Sequence, residues 1–407
     1  MTSTTGTGTE VGGSVTAPGS ESRDTGESRL VGPDSDQRPA LSVVMPTLNE
    51  EAGVRECIAS IERAVEELQI PTEVVVSDSS TDRTPELAEQ AGAIVVEPDE
   101  PGYGYAYRYA FERARGDVIA MGDADTTYDF EELPELVAEL ERTGADMVMG
   151  SRLEGTIEAG AMPALHKYVG NPLLTGFLNT FYGTEVSDAH SGFRVFTREA
   201  LNAMDLETDG MEFASEMVMA ASAADLDVAE VPITYHEREG EETLDSFRDG
   251  WRHVRFMLTN APTYLFSGPG VGAAVFGLLV VLLALTGTPA FGRSFGVNSM
   301  IAGSVFLIVG AHAVALGVFC RVAGRTIGQP TDPVTGFIVE RVSVERGVAA
   351  GAVLFVGGVG YASYLVWTWA SSGFAVVPSA MQSLGACLAI VVGLQTVFSS
   401  FFLSVIE

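Results

Sequence analysis

The chain has 407 residues, enough for one large or two medium domains, and a formal net charge of −31 at pH 7. The charge is uneven, because residues 40–260 contain 44 acidic and 15 basic residues whereas residues 261–407 contain 4 and 5. Such an acidic surface argues against a nucleic-acid partner, and three widely separated cysteines argue against a disulfide framework or a zinc site.

The first segment, residues 1–39, consists largely of Gly, Ser, Thr, Asp and Glu and has almost no large apolar side chain. Such a segment cannot bury a core, so we predict a disordered tail. It has neither a basic start nor an apolar stretch, and no cleaved signal peptide is expected.

Residues 40–242 form the predicted soluble domain, in which strands alternate with helices. The patterns predict strands at 41–45, 73–76, 93–96 and 117–122, and helices at 50–68, 84–91 and 104–114. This alternation indicates an α/β fold with a parallel sheet and right-handed crossovers. Ligands of such sheets bind beyond the carboxyl ends of the strands.

Three acidic loops follow strands of this sheet, at residues 46–50, 77–82 and 123–125. Asp123 and Asp125 are two residues apart where a strand ends, a spacing that lets both carboxylates reach one hard divalent cation. The alternative is local structure, with Asn49 and Asp82 as helix N-caps and Asp78 as a turn residue.

The C-terminal third is a predicted membrane domain, residues 263–407. Residues 256–292 carry no charge, and three more uncharged stretches follow at 298–320, 348–370 and 375–406. Each is long enough to cross about 30 Å of hydrocarbon as a helix, so four spans are predicted. Arginines precede the first span and separate the second from the third, which places the soluble domain in the cytoplasm. His312 lies in mid-span and is expected to form a hydrogen bond between helices.

Residues 243–262 are predicted to form an interfacial amphipathic helix before the first span. Its apolar stripe would hold Phe247, Trp251, Val254 and Leu258, and its adjacent stripe would hold Arg248, Arg252 and Arg255. These arginines either meet lipid phosphates or only provide the positive charge of a cytoplasmic flank. Residues 165–182 are a second candidate for an interfacial helix, or they pack on the sheet.

Seven short motifs appear in a characteristic order over residues 41–260. They are Pro46-Thr47-Leu48-Asn49-Glu50, Ser77-Asp78-Ser79-Ser80-Thr81-Asp82, Gly102-Tyr103-Gly104-Tyr105-Ala106, Gly116-Asp117, Asp123-Ala124-Asp125, Gly150-Ser151-Arg152 and Ser191-Gly192-Phe193-Arg194. The chain thereby resembles the family 2 glycosyltransferases of GT-A fold, and among them the polyprenyl-phosphate enzymes typified by dolichyl-phosphate mannose synthase.

The resemblance implies roles for named residues. Asp123 and Asp125 would hold Mg2+ or Mn2+ against the diphosphate of a nucleotide-sugar, and Arg152 would bind phosphate oxygens. The implied nucleotide-sugar site comprises Pro46, Asn49, Glu50, Asp78, Gly104 and Asp123. The implied catalytic residues are Asp125, Arg152 and Asp188, and the implied acceptor-phosphate site comprises Arg152, Arg194, Arg248 and Arg252. Two positions depart from many relatives, which have Tyr in place of Leu48 and Gln in place of Thr127.

The need for a general base depends on the acceptor. A lipid phosphate is already an anion, whereas a sugar hydroxyl would have to lose a proton. Asp188 is the candidate base, against the alternative that it is a structural carboxylate. His190 is expected to orient other groups or to lie on the surface, and Glu212 and Glu216 are read first as helix-face residues.

The expected protein is a membrane-bound inverting hexosyltransferase. It would move a hexose from a UDP- or GDP-hexose to dolichyl phosphate at the cytoplasmic face of the cell membrane, for N-glycosylation of cell-surface proteins such as the S-layer glycoprotein. The alternatives are extension of an existing dolichol-linked saccharide and a non-catalytic lipid-carrier translocation subunit. The acidic composition is typical of a halophilic archaeon, and a homo-oligomer is left open.

Overall fold

In the computed structural model, the described residues are 29–33, 35–238, 246–290, 292–324, 326–328 and 330–406, without the side chains of 246–249 and 406. Residues 1–28 of the predicted tail and residues 243–245 of the predicted interfacial helix lie outside this part. The segment that precedes the sheet is already packed, because Val31 is buried and its N–H donates to the Thr72 carbonyl at 2.8 Å. The predicted boundary at residue 40 therefore falls within the packed region.

The soluble domain is built on one seven-stranded sheet with the order β3-β2-β1-β4-β6-β5-β7. The strands are β1 (Leu41–Thr47), β2 (Thr72–Asp78), β3 (Ile94–Val96), β4 (Val118–Met121), β5 (Met147–Ile157), β6 (Arg194–Thr197) and β7 (Val228–Tyr235). The predicted parallel pairing is confirmed for β1 to β4, but β6 runs antiparallel to both β4 and β5. Arg194 at the start of β6 pairs with Met121 at the end of β4. The loop that enters β6 therefore lies at the same sheet edge as Asp123.

Helices cover both faces of the sheet, as the apolar spacing predicts. They are α1 (Val54–Leu68), α2 (Thr84–Gln90), α3 (Tyr103–Phe111), α4 (Leu133–Thr143), α5 (Asn171–Tyr182), α6 (Arg198–Met204) and α7 (Phe213–Ala223). One core cluster packs α1, α2 and α4 on one face of the sheet, and a second packs α3, α5, α6 and α7 on the other. This layered arrangement is the GT-A type of mixed α/β domain.

The C-terminal region contains α8 (Ser246–Asn260), α9 (Pro262–Thr286), α10 (Val297–Ala323), α11 (Pro333–Arg341), α12 (Val344–Ser371) and α13 (Ala380–Ile406). Four of these helices, α9, α10, α12 and α13, are long and apolar enough to cross a membrane. The predicted link at His312 is confirmed, because its Nδ1 lies 3.2 Å from Gln395 Nε2 across α10 and α13. The short helix α11 is an element that the sequence patterns did not predict.

Helix α8 leads from the soluble domain into the first span, and α5 lies beside α8. In α8, Met257 is completely buried in the second core cluster while Trp251 is 61% exposed. In α5, Leu174 and Leu178 are buried whereas Leu173 is exposed. Each helix therefore packs one face on the domain and leaves apolar side chains uncovered on another.

Candidate active site

The carboxyl-terminal ends of β1, β2 and β4 form one edge of the sheet, here called the site edge. Asn49 ties two of its loops together, since its N–H donates to Ser80 Oγ at 2.7 Å and its Oδ1 accepts from the Thr81 N–H at 2.9 Å. Asn49 has a left-handed φ of 60° and does not cap α1, which begins at Val54. Asp82 is not the N-cap of α2 either, since Arg83 occupies that position, but its Oδ1 accepts from the Thr84 N–H at 2.9 Å where the helix begins.

Asp78 is a buried carboxylate that accepts hydrogen bonds from β1 and from its own loop. Its Oδ1 accepts from Thr47 Oγ1 at 2.7 Å and Ser80 Oγ at 2.6 Å, and its Oδ2 accepts from the Ser80 N–H at 3.1 Å. Pro46 lies opposite Ser77 in the β1–β2 pair, and Leu48 is 62% exposed just beyond β1. Contact of Asp78 and Pro46 with a nucleotide stays a prediction.

Asp123 is held by two tyrosines of α3. Its Oδ1 accepts from the Tyr103 hydroxyl at 2.8 Å and the Tyr107 hydroxyl at 3.3 Å. Its Oδ2 faces Gly192, where a Cβ would lie 3.2 Å from that oxygen. Burial and the nearby Asp125 raise the pKa of Asp123 to about 6, because two carboxylates repel each other in a site sheltered from water.

Asp125 and Glu50 share one cationic neighbour, Arg238. Asp125 Oδ1 accepts from the Thr127 N–H at 3.1 Å and Thr127 Oγ1 at 2.6 Å, and its Oδ2 lies 3.4 Å from Arg238 Nη1. Arg238 Nη2 donates to Glu50 Oε1. Burial raises the pKa of Glu50 to about 7 despite the opposing effect of Arg238.

Arg238 is a site residue that the sequence reasoning missed. It lies three residues beyond β7, and β7 ends at the site edge because the His236 N–H donates to the Thr127 carbonyl at 2.9 Å. The feature that could have identified Arg238 is its position just after the end of a strand.

The residues at the site edge fit a divalent cation. Two carboxylates supply hard oxygen ligands, and a bound cation would relieve the repulsion that raises the pKa of Asp123. The described residues contain no cluster of three or more His, Cys, Asp or Glu side chains arranged to hold a metal ion. Water and a diphosphate would therefore complete the coordination, as is usual for Mg2+.

Arg152 and Asp188 form a buried, two-point ion pair. Arg152 Nε lies 2.7 Å from Asp188 Oδ2, and Nη2 lies 2.9 Å from Oδ1. Burial opposes ionisation, but Arg152 holds the pKa of Asp188 below its ordinary value. A carboxylate that is fully committed to an arginine is a poor general base. The geometry favours the structural alternative for Asp188, which orients Arg152.

The predicted acceptor role of Arg194 does not fit the structure. Its side chain is completely buried, and it donates to the carbonyl oxygens of Ala189, Ser191 and Ala214 at 2.9–3.0 Å. Burial lowers the pKa of Arg194 to about 10. Arg194 therefore fixes the loop that carries Asp188, and a lipid phosphate cannot reach it.

The other two predicted acceptor arginines belong to α8. Arg252 Nε lies 3.6 Å from Glu212 Oε1, so this arginine already has an anionic neighbour in the domain. The side chain of Arg248 lies outside the described part. Their contact with a lipid phosphate stays a prediction.

Gly104, which the resemblance implies in the nucleotide-sugar site, lies against the protein's own backbone. A Cβ on Gly104 would lie 2.2 Å from the Thr208 carbonyl oxygen, and one on Gly102 would lie 2.4 Å from that of Asp209. Both glycines allow close contact between α3 and the protein's own backbone. Their lack of a side chain serves this packing, and contact of Gly104 with a donor stays a prediction.

His190 orients its surroundings, as one of the two alternatives predicts. Its Nε2 lies 3.0 Å from Ser215 Oγ, which lies 3.3 Å from His253 Nδ1 of α8. Burial lowers the pKa of His190 to about 3, so the ring is neutral. Glu216 is also structural, because it accepts from the N–H groups of Glu207 and Thr208.

Comparisons with known proteins cover both parts of the chain. A family model described as glycosyl transferase family 2 matches residues 42–204, and one described as the family 2 C-terminal transmembrane region matches residues 318–407. The low-salt glycan biosynthesis hexosyltransferase Agl6 of Haloferax volcanii is 56% identical over 379 residues, which cover 93% of this chain and 92% of that protein. The dolichyl-phosphate hexose transferase of the same organism is 37% identical over 211 residues, 52% of this chain and 89% of that protein.

Solved structures resemble the soluble domain. Glucosyl-3-phosphoglycerate synthase from Mycobacterium tuberculosis is 26% identical, with a TM-score of 0.43 over 54% of this chain and 78% of that one. The similarity to Agl6, in contrast, extends through the membrane helices as well as the domain. A divalent metal is typical of family 2, in agreement with the carboxylates of the site edge. The chain belongs to glycosyl transferase family 2 and is a membrane-bound glycosyltransferase.

Proposed function

We propose that the protein transfers a hexose from a nucleotide-sugar to dolichyl phosphate, with inversion at the anomeric carbon. The names of two relatives support a hexose as the transferred group, and one names dolichyl phosphate. The observation that carries the proposal is which charged neighbours the carboxylates near the site edge have. Asp123 and Asp125 repel each other electrostatically and would together hold a cation, whereas both oxygens of Asp188 are bound by Arg152.

An acceptor that is already an anion suits this site. A lipid phosphate oxygen attacks the anomeric carbon, its new C–O bond forms, and the bond to the nucleotide diphosphate breaks on the opposite face. No proton has to be removed from the nucleophile, so the reaction needs no general base. Mg2+ or Mn2+ bound to Asp123 and Asp125 would act as a Lewis acid on the leaving diphosphate.

The chain's own residues have separate tasks in this reaction. Asp78 and Pro46 would contact the nucleoside of the donor. The donor is predicted to be a UDP- or a GDP-hexose. Arg152, oriented by Asp188, would present positive charge to phosphate oxygens. Arg252 and its α8 neighbours Arg248 and Arg255 would attract the lipid phosphate at the membrane surface.

In this proposal the soluble domain faces the cytoplasm. The arginines before α9 and between α10 and α12 support that orientation by the positive-inside rule. A nucleotide-sugar made in the cytoplasm would then reach the site directly. Self-association into a homo-oligomer stays a prediction.

Two alternatives are less well supported. Extension of a dolichol-linked saccharide would require a base for a sugar hydroxyl, and the ion pair of Asp188 with Arg152 makes that carboxylate unsuitable. A pure translocation subunit has no use for the pair Asp123 and Asp125. Leu48 and Thr127, where many relatives differ, are the features that keep this alternative open.

The proposal is tested by sugar transfer in membranes at high salt. Labelled UDP- and GDP-hexoses are supplied with dolichyl phosphate and Mn2+, and the lipid extract is counted. We expect label from one donor, and loss of at least about two orders of magnitude with Asp125→Ala. Asp99→Ala, an exposed carboxylate on the same domain, is the matched control and should retain activity. No label with any donor would contradict the proposal.

A further inference from the structure

Asp123 and Asp125 each have one carboxylate oxygen occupied by hydroxyl donors of the protein. Asp123 Oδ1 receives the Tyr103 hydroxyl at 2.8 Å and the more distant Tyr107 hydroxyl at 3.3 Å. Asp125 Oδ1 receives the Thr127 hydroxyl at 2.6 Å and the Thr127 N–H at 3.1 Å. The hydroxyl donors therefore come from two different elements, α3 for Asp123 and the loop after β4 for Asp125.

The second oxygen of each aspartate has a different environment. Among the described residues, Oδ2 of Asp123 and Oδ2 of Asp125 receive no hydrogen bond. Asp123 Oδ2 borders Gly192, which leaves space beside it, and Asp125 Oδ2 lies 3.4 Å from Arg238 Nη1. Asp123 Oδ2 is therefore open to a cation, and a cation at Asp125 Oδ2 would take the place that Arg238 Nη1 now holds.

We propose that the hydroxyls of Tyr103 and Thr127 restrict Asp123 and Asp125 to one oxygen ligand each, and that this restriction selects a small six-coordinate cation over Ca2+. The inference rests on the proposed cation site. Mg2+ requires near-octahedral geometry and commonly takes one or two carboxylate oxygens with water and phosphate. Ca2+ takes six to eight oxygens and often binds both oxygens of a carboxylate. If Ca2+ bound both carboxylate oxygens of Asp123 or Asp125, it would displace the hydroxyl groups that donate to Oδ1.

Tyr103 and Thr127 are positioning residues in this account, since they act through the aspartates. Outer hydrogen bonds of this kind typically change metal affinity by roughly 10- to 100-fold when they are removed. The role of Thr127 also gives a function to a position where many relatives have Gln.

The test measures metal binding by the full chain in detergent at high KCl. Free Mn2+ is followed by electron paramagnetic resonance, with Mn2+ alone and with UDP or GDP added, and bound Mn2+ is then displaced with Mg2+ or Ca2+. We expect Mg2+ to displace Mn2+ from the wild type far better than Ca2+ does. Tyr103→Phe and Thr127→Val should weaken Mn2+ binding about tenfold and raise the effectiveness of Ca2+ relative to Mg2+.

Two matched variants separate this effect from general damage. Tyr105→Phe removes a hydroxyl on the same helix that bonds Asp99 at 2.5 Å, away from the site, and should behave as the wild type. Thr127→Ser retains the hydroxyl and should restore both affinity and selectivity. Wild-type affinity and selectivity in Tyr103→Phe and Thr127→Val would overturn the inference. Absence of Mn2+ binding by the wild type would overturn it together with the cation site, whereas selective binding without hexose transfer would contradict only the proposed function.

Discussion

The ion pair of Arg152 and Asp188 decides which chemistry the site can perform. Both side chains are withdrawn from water, and the two guanidinium contacts use both oxygens of the carboxylate. A buried charge that loses its partner is strongly destabilising. The pair therefore links the stability of the domain to the arrangement of Arg152, the arginine proposed to bind phosphate.

Replacement of Asp188 distinguishes a structural carboxylate from a general base. Asp188→Asn preserves shape but leaves the Arg152 charge buried without compensation, so we expect the free energy of unfolding to fall by about 3–5 kcal/mol. Denaturant unfolding of the purified protein measures this loss. Asp117→Asn, which removes the partner of exposed Arg38, is the control and should have little effect. Normal stability with abolished transfer would instead identify Asp188 as a base.

The glycine at the start of α3 provides a second residue-level prediction. Gly104→Ala would place a Cβ 2.2 Å from the Thr208 carbonyl oxygen and 2.9 Å from Phe213 Cβ, so we expect destabilisation of about 1–3 kcal/mol. Gly176→Ala, in a helix position with no atom within 4 Å, should be neutral or stabilising. Thermal unfolding of both variants checks this. If Gly104→Ala left the stability unchanged but weakened donor binding, the result would support the nucleotide-sugar role that the family resemblance implies for Gly104.

The residues at the site edge show how far sequence reasoning extends. Asp123 and Asp125 could be located because they follow an apolar strand at a spacing typical of a cation site. Arg194 is predicted to bind the acceptor phosphate and Arg238 is missed, because their roles depend on burial and on loops that meet only in the folded domain. Arg194 lies in a motif of the family, yet its guanidinium bonds to backbone carbonyls. Arg238 belongs to none of the seven motifs.

At the level of elements, α8 packs on the transferase domain, and its location at the membrane surface stays a prediction. The periodicity predicts an amphipathic helix, but among the α8 side chains that the structure describes, the completely buried one is Met257, which lies outside the predicted apolar stripe. The physical reason is that α8 packs against the second core cluster, whereas the prediction considered the helix alone on a membrane. Trp251 of the predicted stripe remains exposed and is available to lipid.

Two substitutions in α8 should separate these roles. Met257→Ala creates a cavity in the core, so we expect the free energy of unfolding to fall by about 2–5 kcal/mol. Trp251→Ala should leave unfolding in detergent unchanged but lower hexose transfer to lipid in vesicles, because an aromatic side chain at the membrane surface is lost. Calorimetry and a transfer assay measure the two effects. Equal loss of stability in both variants would contradict this division.

At the level of the whole molecule, the acidic domain and the nearly uncharged helices respond to different solvents. The net charge of −31 resides chiefly in residues 40–260, where like charges repel across the surface. We expect the unfolding temperature of the purified protein to rise between 0.1 and 2 M KCl, because the Debye length falls from about 10 Å to less than about 3 Å. An osmotically matched sucrose series is the control. An unfolding temperature that ignores KCl, or follows sucrose equally, would contradict an electrostatic origin.

The central claim is that the acceptor is a lipid phosphate, and a competition between acceptors tests it most directly. Membranes containing the wild-type protein receive one labelled nucleotide-hexose with equal amounts of dolichyl phosphate and a dolichol-linked monosaccharide, and the labelled lipids are separated. The account predicts label in dolichyl-phosphate hexose and its loss with Asp125→Ala. Label confined to a dolichol-linked disaccharide would contradict the claim and show that the site activates a sugar hydroxyl.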